Sequence, residues 1–270
     1  RHIGVASIPL LWDVQQAVDA VRWCVDNGLK SVMIPTLWGD NDPYHHVKYD
    51  PFWEVCQELG VIVHFHSGPA PQPEYFGEQW PMEDLSDKLP GAMGIYVSEV
   101  MWWLYRPLTF MIWGGVFERF PRLKVVLTEG GTVFMLPPWL RLLDHNYFDV
   151  QFSAKLGDFR SHLSMSPGEY FQRNVAVGAS CVPRADIELR NIIGIDKMMW
   201  GSDYPHPEGT WPHTQEYYLN TFAGIPEKDG RKILGENAIA WYGLDRARLQ
   251  AVADRIGPSS AIFHATGEAA

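Results

Sequence analysis

The sequence is short of basic residues and of cysteine, and it has no long uninterrupted apolar run. Its 22 Lys and Arg stand against 32 Asp and Glu, a net charge of -10, which disfavours nucleic acid or an anionic membrane surface as partner. A small, uncharged or locally recognised molecule is the expected partner. Cys24, Cys56 and Cys181 are odd in number and widely spaced among apolar or aromatic neighbours, so they predict reduced core thiols in a cytoplasmic protein. No stretch reaches the ~18 apolar residues of a membrane span without a charge or helix breaker, and the opening RHIGVASIPLLW lacks a signal-peptide layout. A phosphate-binding P-loop, a GxGxxG fingerprint and a GxSxG elbow are also missing, which leaves nucleotide, dinucleotide and serine-hydrolase chemistry unsupported. With no low-complexity tract, repeat or linker, the 270 residues read as one domain, 1–270.

What is present is an alternation of short β-rich runs with helical stretches. Ile3 to Ile8 predicts a strand, and Val14, Ala17, Val18, Val21 and Val25 then recur at helical spacing until Gly28. Ser31 to Pro35, Val61 to His66, Leu123 to Glu129, Asn174 to Ser180 and Lys197 to Trp200 supply five more strands, each followed by a polar or Gly-bearing loop and a helical segment. Near-continuous Val, Ile and Met strands between helices predict an α/β fold with a buried parallel sheet. Both a (β/α)₈ TIM barrel and an open doubly wound sheet fit the alternation, and a closed barrel needs two more units than the six apparent here.

Potential ligands gather where strands end. His64 and His66 lie two apart on one strand and so share a face, with His66 nearer the Ser67-Gly68 exit. Neutral imidazole binds zinc, iron and manganese, although a pair of hydrogen-bonded core histidines has the same spelling. Glu129 closes KVVLTE before Gly130-Gly131, and Asp203 follows MMWGS in a loop dense in Pro, His and Gly. A helix cap and an Asx-turn are the structural alternatives for these carboxylates. Three potential ligands at three equivalent strand ends nevertheless point to a shared metal or catalytic centre, because α/β barrels place their chemistry at that lip. His206 and His213 in the loop after Asp203, and His45 and His46 in the loop after Pro35, are candidate substrate contacts. Trp38, Trp80, Trp102, Trp103, Trp113, Trp139, Trp200 and Trp211 would suit an aromatic or hydrophobic substrate, or core packing.

The segments YDPFWEVCQELGVIVHFHSG, GGVFERFPRLKVVLTEGG, LPPWLRLLD, IDKMMWGSDYPHPEGTWP and ILGENAIAWYGLD run in order over nearly the whole chain. Together they resemble the amidohydrolase-related superfamily, in particular the group of aminocarboxymuconate-semialdehyde decarboxylase and related metal-dependent hydrolases. The resemblance implies a (β/α)₈ barrel with a metal at its C-terminal lip. His66 matches the fifth-strand ligand and Asp203 the eighth-strand aspartate, so the six strands would be the third to the eighth. The first two strands and their ligands are then expected from a preceding N-terminal segment or a partner chain, and the active species is expected to be a homo-oligomer or so completed. Glu129 occupies the sixth-strand position where many members have His. A carboxylate there favours iron or manganese over an all-imidazole zinc site, and it could bridge two ions.

These residues imply a metal-dependent hydrolase of a small aromatic or hydrophobic amide, ester or thioester, in which Asp203 and Glu129 are catalytic. His66, Asp203 and Glu129 would hold a divalent zinc, iron or manganese ion, mononuclear or dinuclear. His64, His206, His45, His46 and Trp38 would bind substrate. A non-oxidative decarboxylase of a hydroxyaromatic acid uses the same residues, and a non-catalytic barrel fragment bound to a partner chain is the rival of another class.

Overall fold

Six short runs rich in Val, Ile and Met form one parallel sheet in sequential order, β1 Val5–Ser7, β2 Ser31–Met33, β3 Ile62–His66, β4 Lys124–Thr128, β5 Val175–Ser180 and β6 Met198–Gly201. The structure is a computed structural model that describes residues 3–66, 68, 70–130 and 135–265. Arg1, His2, Ser67, Pro69 and Gly131, on which parts of the sequence reading fall, lie outside the described residues. The six expected strands are therefore the six observed, five of them shorter than expected and β6 displaced by one residue to end at Gly201. Glu129 falls outside β4 because its backbone turns left-handed at φ 53°, which a ladder cannot continue.

The helices between strands start and stop where side chains dictate. Asp13 caps the helix Val14–Asp26 by accepting from the Gln16 backbone N–H at 2.9 Å, and that helix buries Ala17, Val18, Val21 and Cys24. Pro51 opens the helix Asp50–Leu59, and Gly60 closes it with a left-handed φ of 65°. One sheet face, carrying Val63, Phe65, Val125, Leu127, Val175 and Val177, packs into the main core beneath these helices.

The other face is apolar only toward the N-terminal end of the strands. There Ile62, Val126, Ala176 and Met199 meet Ala238, Trp241 and Tyr242 of the helix Asn237–Tyr242. Asn237 fixes this helix to the sheet by donating from Nδ2 to the Ile195 and Met198 carbonyls, both at 2.7 Å. The chain thus plugs its own inner face from below and leaves the C-terminal ends of the strands for chemistry. Among the described residues β1 pairs only with β2, and β6 only with β5, so the sheet is open at both edges.

Asn237→Ala should cost about 2–4 kcal/mol, because two buried carbonyls lose their donor. A urea midpoint unchanged from wild type would show that the helix is held by its apolar contacts alone.

Candidate active site

Among the described residues, Glu129, Cys181 and Asp203 are the non-glycine residues with left-handed backbone, at φ 53°, 48° and 59°. They follow β4, β5 and β6 in turn, at the same edge of the sheet. Such a conformation costs an L-residue about 1–2 kcal/mol, and its recurrence at three adjacent strand exits marks the edge where the fold tolerates strain.

The register and the glycines explain how each position is held. His66 pairs with Thr128, Thr128 with Gly178 and Ser180 with Gly201, so the residues just beyond these ends fall beside one another. Gly130 donates its N–H to the Gly178 carbonyl at 3.3 Å, and a Cβ there would come within 2.8 Å of Val177. The Cys181 N–H donates to the Gly201 carbonyl at 3.0 Å, extending the β5–β6 pairing by one residue. After Asp203 the loop folds back, with the His206 N–H on the Asp203 carbonyl at 2.8 Å and the Thr210 N–H on the Ser202 carbonyl at 2.9 Å. Gly209 is required for this return, since a Cβ would meet the Asp203 and Ser202 carbonyl oxygens at 2.8 and 2.9 Å.

Two histidine–carboxylate pairs result. His66 Nε2 lies 3.2 Å from Glu129 Oε2, with both side chains partly open to solvent. His206 Nδ1 lies 3.5 Å from Asp203 Oδ2 and accepts the Glu208 N–H at 3.3 Å, so that nitrogen has no proton to donate to Asp203 and the two are neighbours rather than hydrogen-bond partners. Cys181 sits in the same neighbourhood. Burial, followed by the carboxylate of Asp203 and more weakly those of Glu129 and Glu208, raises its thiol pKa. The thiol is therefore neutral at pH 7 and poorly suited to act as a nucleophile.

That position corrects the reading of all three cysteines as core thiols. Cys24 and Cys56 are buried, whereas Cys181 is half-buried at the lip. Its apolar neighbours in sequence belong to β5, and its own placement depends on pairing with β6.

His64 and His66 share a strand face but not a depth. His64 is 4% exposed, with Nδ1 2.6 Å from Thr128 Oγ1 and Nε2 3.2 Å from Tyr242 Oη. Burial lowers its pKa to about 4, so the ring is neutral at pH 7. In this structure His64 is a hydrogen-bonded core histidine that ties β3 and β4 to the helix Asn237–Tyr242. His64→Ala should cost about 2–4 kcal/mol, through a cavity and two orphaned hydroxyls, with metal uptake retained. Normal stability together with lost metal uptake would instead place His64 in the functional site.

The other expected substrate contacts divide. Trp38 and His66 line a cavity of about 460 Å³ at the ends of β1, β2 and β3. Neither His45 nor His46 lines it. His46 Nδ1 accepts the Lys48 N–H at 3.2 Å and caps the turn Val47–Tyr49, and His45 stacks on Phe110 with ring centroids 5.7 Å apart. His213 pairs with Glu216 at 3.5 Å on the helix side of the loop. Trp12, which sequence reasoning passed over, lines the cavity with Trp38; its signal was its place just beyond β1 in PLLWD.

The donor chemistry at the lip, an imidazole touching a carboxylate with a second carboxylate two strands on, is of the kind a divalent ion takes. Among the described residues no three His, Cys, Asp or Glu side chains stand together as a metal-holding group. His66 with Glu129, and Asp203 with His206, stand as two pairs.

The amidohydrolase family profile matches residues 1–244. The chain belongs to the amidohydrolase family. Among its relatives, 2-amino-3-carboxymuconate-6-semialdehyde decarboxylase of Dictyostelium discoideum is 26% identical over 249 residues, which are 91% of this chain and 62% of that protein. The chain thus spans about three-fifths of the length of that curated relative. The solved 2,6-dihydroxybenzoate decarboxylase from Rhizobium superposes with a TM-score of 0.65 at 23% identity, covering 91% of this chain and 72% of that one. The dihydroxybenzoic acid decarboxylase of Polaromonas sp. JS666, solved with manganese and the inhibitor 2-nitroresorcinol, gives 0.66 at 23% identity over 92% and 71%. The fold is accordingly that of the amidohydrolase TIM barrels, with six barrel strands in this chain. The resemblance carried by the five sequence segments holds at the level of the superfamily and of its decarboxylase-like group. Among the described residues no helix is long and apolar enough to cross a membrane.

Proposed function

We propose that this chain carries the reaction site of a metal-dependent, non-oxidative carboxy-lyase acting on a small aromatic or unsaturated carboxylic acid. The observation that carries the reading is Asp203, a partly buried carboxyl group on left-handed backbone at the β6 exit, in a chain whose family relatives include decarboxylases. Hydrolysis, the first reading of the sequence, uses the same residues; the decarboxylase relatives favour carbon dioxide release.

His66 and Glu129, which stand as a pair, and Asp203, which stands apart from them, would have to draw together to hold the divalent ion, and the manganese in the Polaromonas relative supports that metal class. When bound, such an ion would supply a positive centre for the negative charge of the substrate. In this role Asp203 would pass a proton from solvent to the carbon that bears the carboxylate. The bond between that carbon and the carboxylate then breaks, carbon dioxide leaves, and the bonding electron pair stays on the ring and restores its unsaturation. Asp203 is 20% exposed, which gives it the contact with solvent that such a relay needs. A homo-oligomer, or a barrel completed by further chain, belongs to the same proposal and is supported by the one-sided pairing of β1 and β6.

A panel of hydroxybenzoates and of aryl esters, amides and thioesters separates the two chemistries. Carbon dioxide from the acids, with no hydrolytic product from the others, is expected. Hydrolysis without carbon dioxide would return the site to the hydrolase reading.

A further inference from the structure

The cavity beside His66 has a composition that the reaction does not by itself require. It opens at the exits of β1 and β2, which the register Ser7↔Met33 sets side by side. Trp12 follows one exit and Trp38 the other, and Met33, Ile34 and Pro35 form much of the remaining wall. Among the described residues its polar lining comes from Ser7, Thr36 and His66, and no lysine or arginine contributes. Trp38 stands on an anchored loop: its carbonyl accepts from Asn41 Nδ2 at 2.9 Å, the next residue's N–H donates to Glu74 at 2.7 Å, and Tyr44 Oη donates to the Pro35 carbonyl at 2.5 Å. An indole held this way offers a flat apolar surface at little ordering cost on binding.

Size and charge narrow what fits. A closed apolar cavity of ~150 Å³ already accepts benzene, so one of about 460 Å³ has room for a single ring with an alkyl or alkoxy substituent. A second carboxylate on that ring would lose water against indole, thioether and aliphatic groups without a cation to meet it. The chain's net charge of -10, with Glu129 in contact with His66, adds repulsion.

We infer that this cavity is an apolar subsite that takes the uncharged end of the substrate and discriminates against a second acid group, with Trp12 and Trp38 as specificity-determining residues. The inference rests on the reading of His66 as part of the reaction site. The selected substrate is a monocarboxylic aromatic acid whose distal substituent is apolar, and a ring dicarboxylate is rejected.

The test is equilibrium binding to the manganese-loaded full chain by calorimetry, with two probes that share one reacting end, 5-methyl-2-hydroxybenzoate and 5-carboxy-2-hydroxybenzoate. The methyl probe should bind about 100-fold more tightly, the loss for the dicarboxylate reflecting its unpaired anion. Trp38→Ala should weaken the methyl probe about tenfold and leave the dicarboxylate unchanged, while Trp38→Phe should keep most of the preference. Met33→Lys, which places a cation in the wall, should shift the preference toward the dicarboxylate. Equal affinities for the two probes, or no binding of either by folded protein, would overturn the subsite. Binding with the expected preference but without carbon dioxide release would leave the subsite standing and remove the carboxy-lyase reading. Carbon dioxide release without the preference would do the reverse.

Discussion

Asp203→Asn should lower carbon dioxide release at least about a thousandfold, a barrier increase of ~4 kcal/mol, while the protein stays folded. Asparagine keeps the volume of aspartate and, like it, tolerates the left-handed φ of 59°, so the loop back to Thr210 and Gly209 has no reason to rearrange. What it cannot do is give up a carboxylic proton or bind a metal as an anion. Turnover within about tenfold of wild type, ~1.4 kcal/mol, would exclude Asp203 as the proton donor. Circular dichroism and the urea midpoint of the variant distinguish lost chemistry from lost structure.

Removing the metal should have an effect of similar size. Dialysis against a strong chelator is expected to abolish turnover, and added Mn²⁺ to restore it. His66→Ala should bind Mn²⁺ at least about 100-fold more weakly than wild type, since losing a direct ligand should cost no less than losing an outer-shell partner. Glu129→Gln should weaken binding less, because the amide oxygen remains a neutral donor in the place of a carboxylate in contact with His66. Full activity in the chelated protein would show that the chemistry at this lip needs no metal. Unchanged affinity in His66→Ala would move the ion elsewhere.

Much of this site could be read from the order of residues along the chain. Apolar strands such as KVVLT and MMW announce themselves by composition, and the residue beyond each is automatically a lip residue in a parallel α/β fold. Glu129 and Asp203 were legible for that reason, as was His66 at the end of IVHFH. Depth was not legible. Period-two spacing correctly put His64 on the face of His66, yet its fate is decided by Tyr242, 178 residues further on, whose helix plugs the inner face. Cys181 looked like core because its neighbours are; its left-handed turn is fixed by a hydrogen bond to Gly201 on another strand. His46, a loop residue in the sequence, caps the turn Val47–Tyr49 through its imidazole Nδ1, a contact that backbone geometry decides. Trp12 entered the cavity because β1 and β2 pair in a register that no local pattern specifies.

The central claim is that His66, Glu129 and Asp203 converge on one metal at the open lip of the sheet. A crystal structure of the Mn²⁺-loaded protein, with an anomalous difference map recorded at the manganese edge, tests it directly. The expected result is one strong peak within ~2.0–2.4 Å of His66 Nε2 and an Asp203 carboxylate oxygen, with Glu129 bound to it or hydrogen-bonded to its ligands. A peak away from this edge, or His66 and Asp203 more than about 8 Å apart with the metal bound, would contradict it, since two ligands of one ion stand within roughly twice the metal–ligand distance.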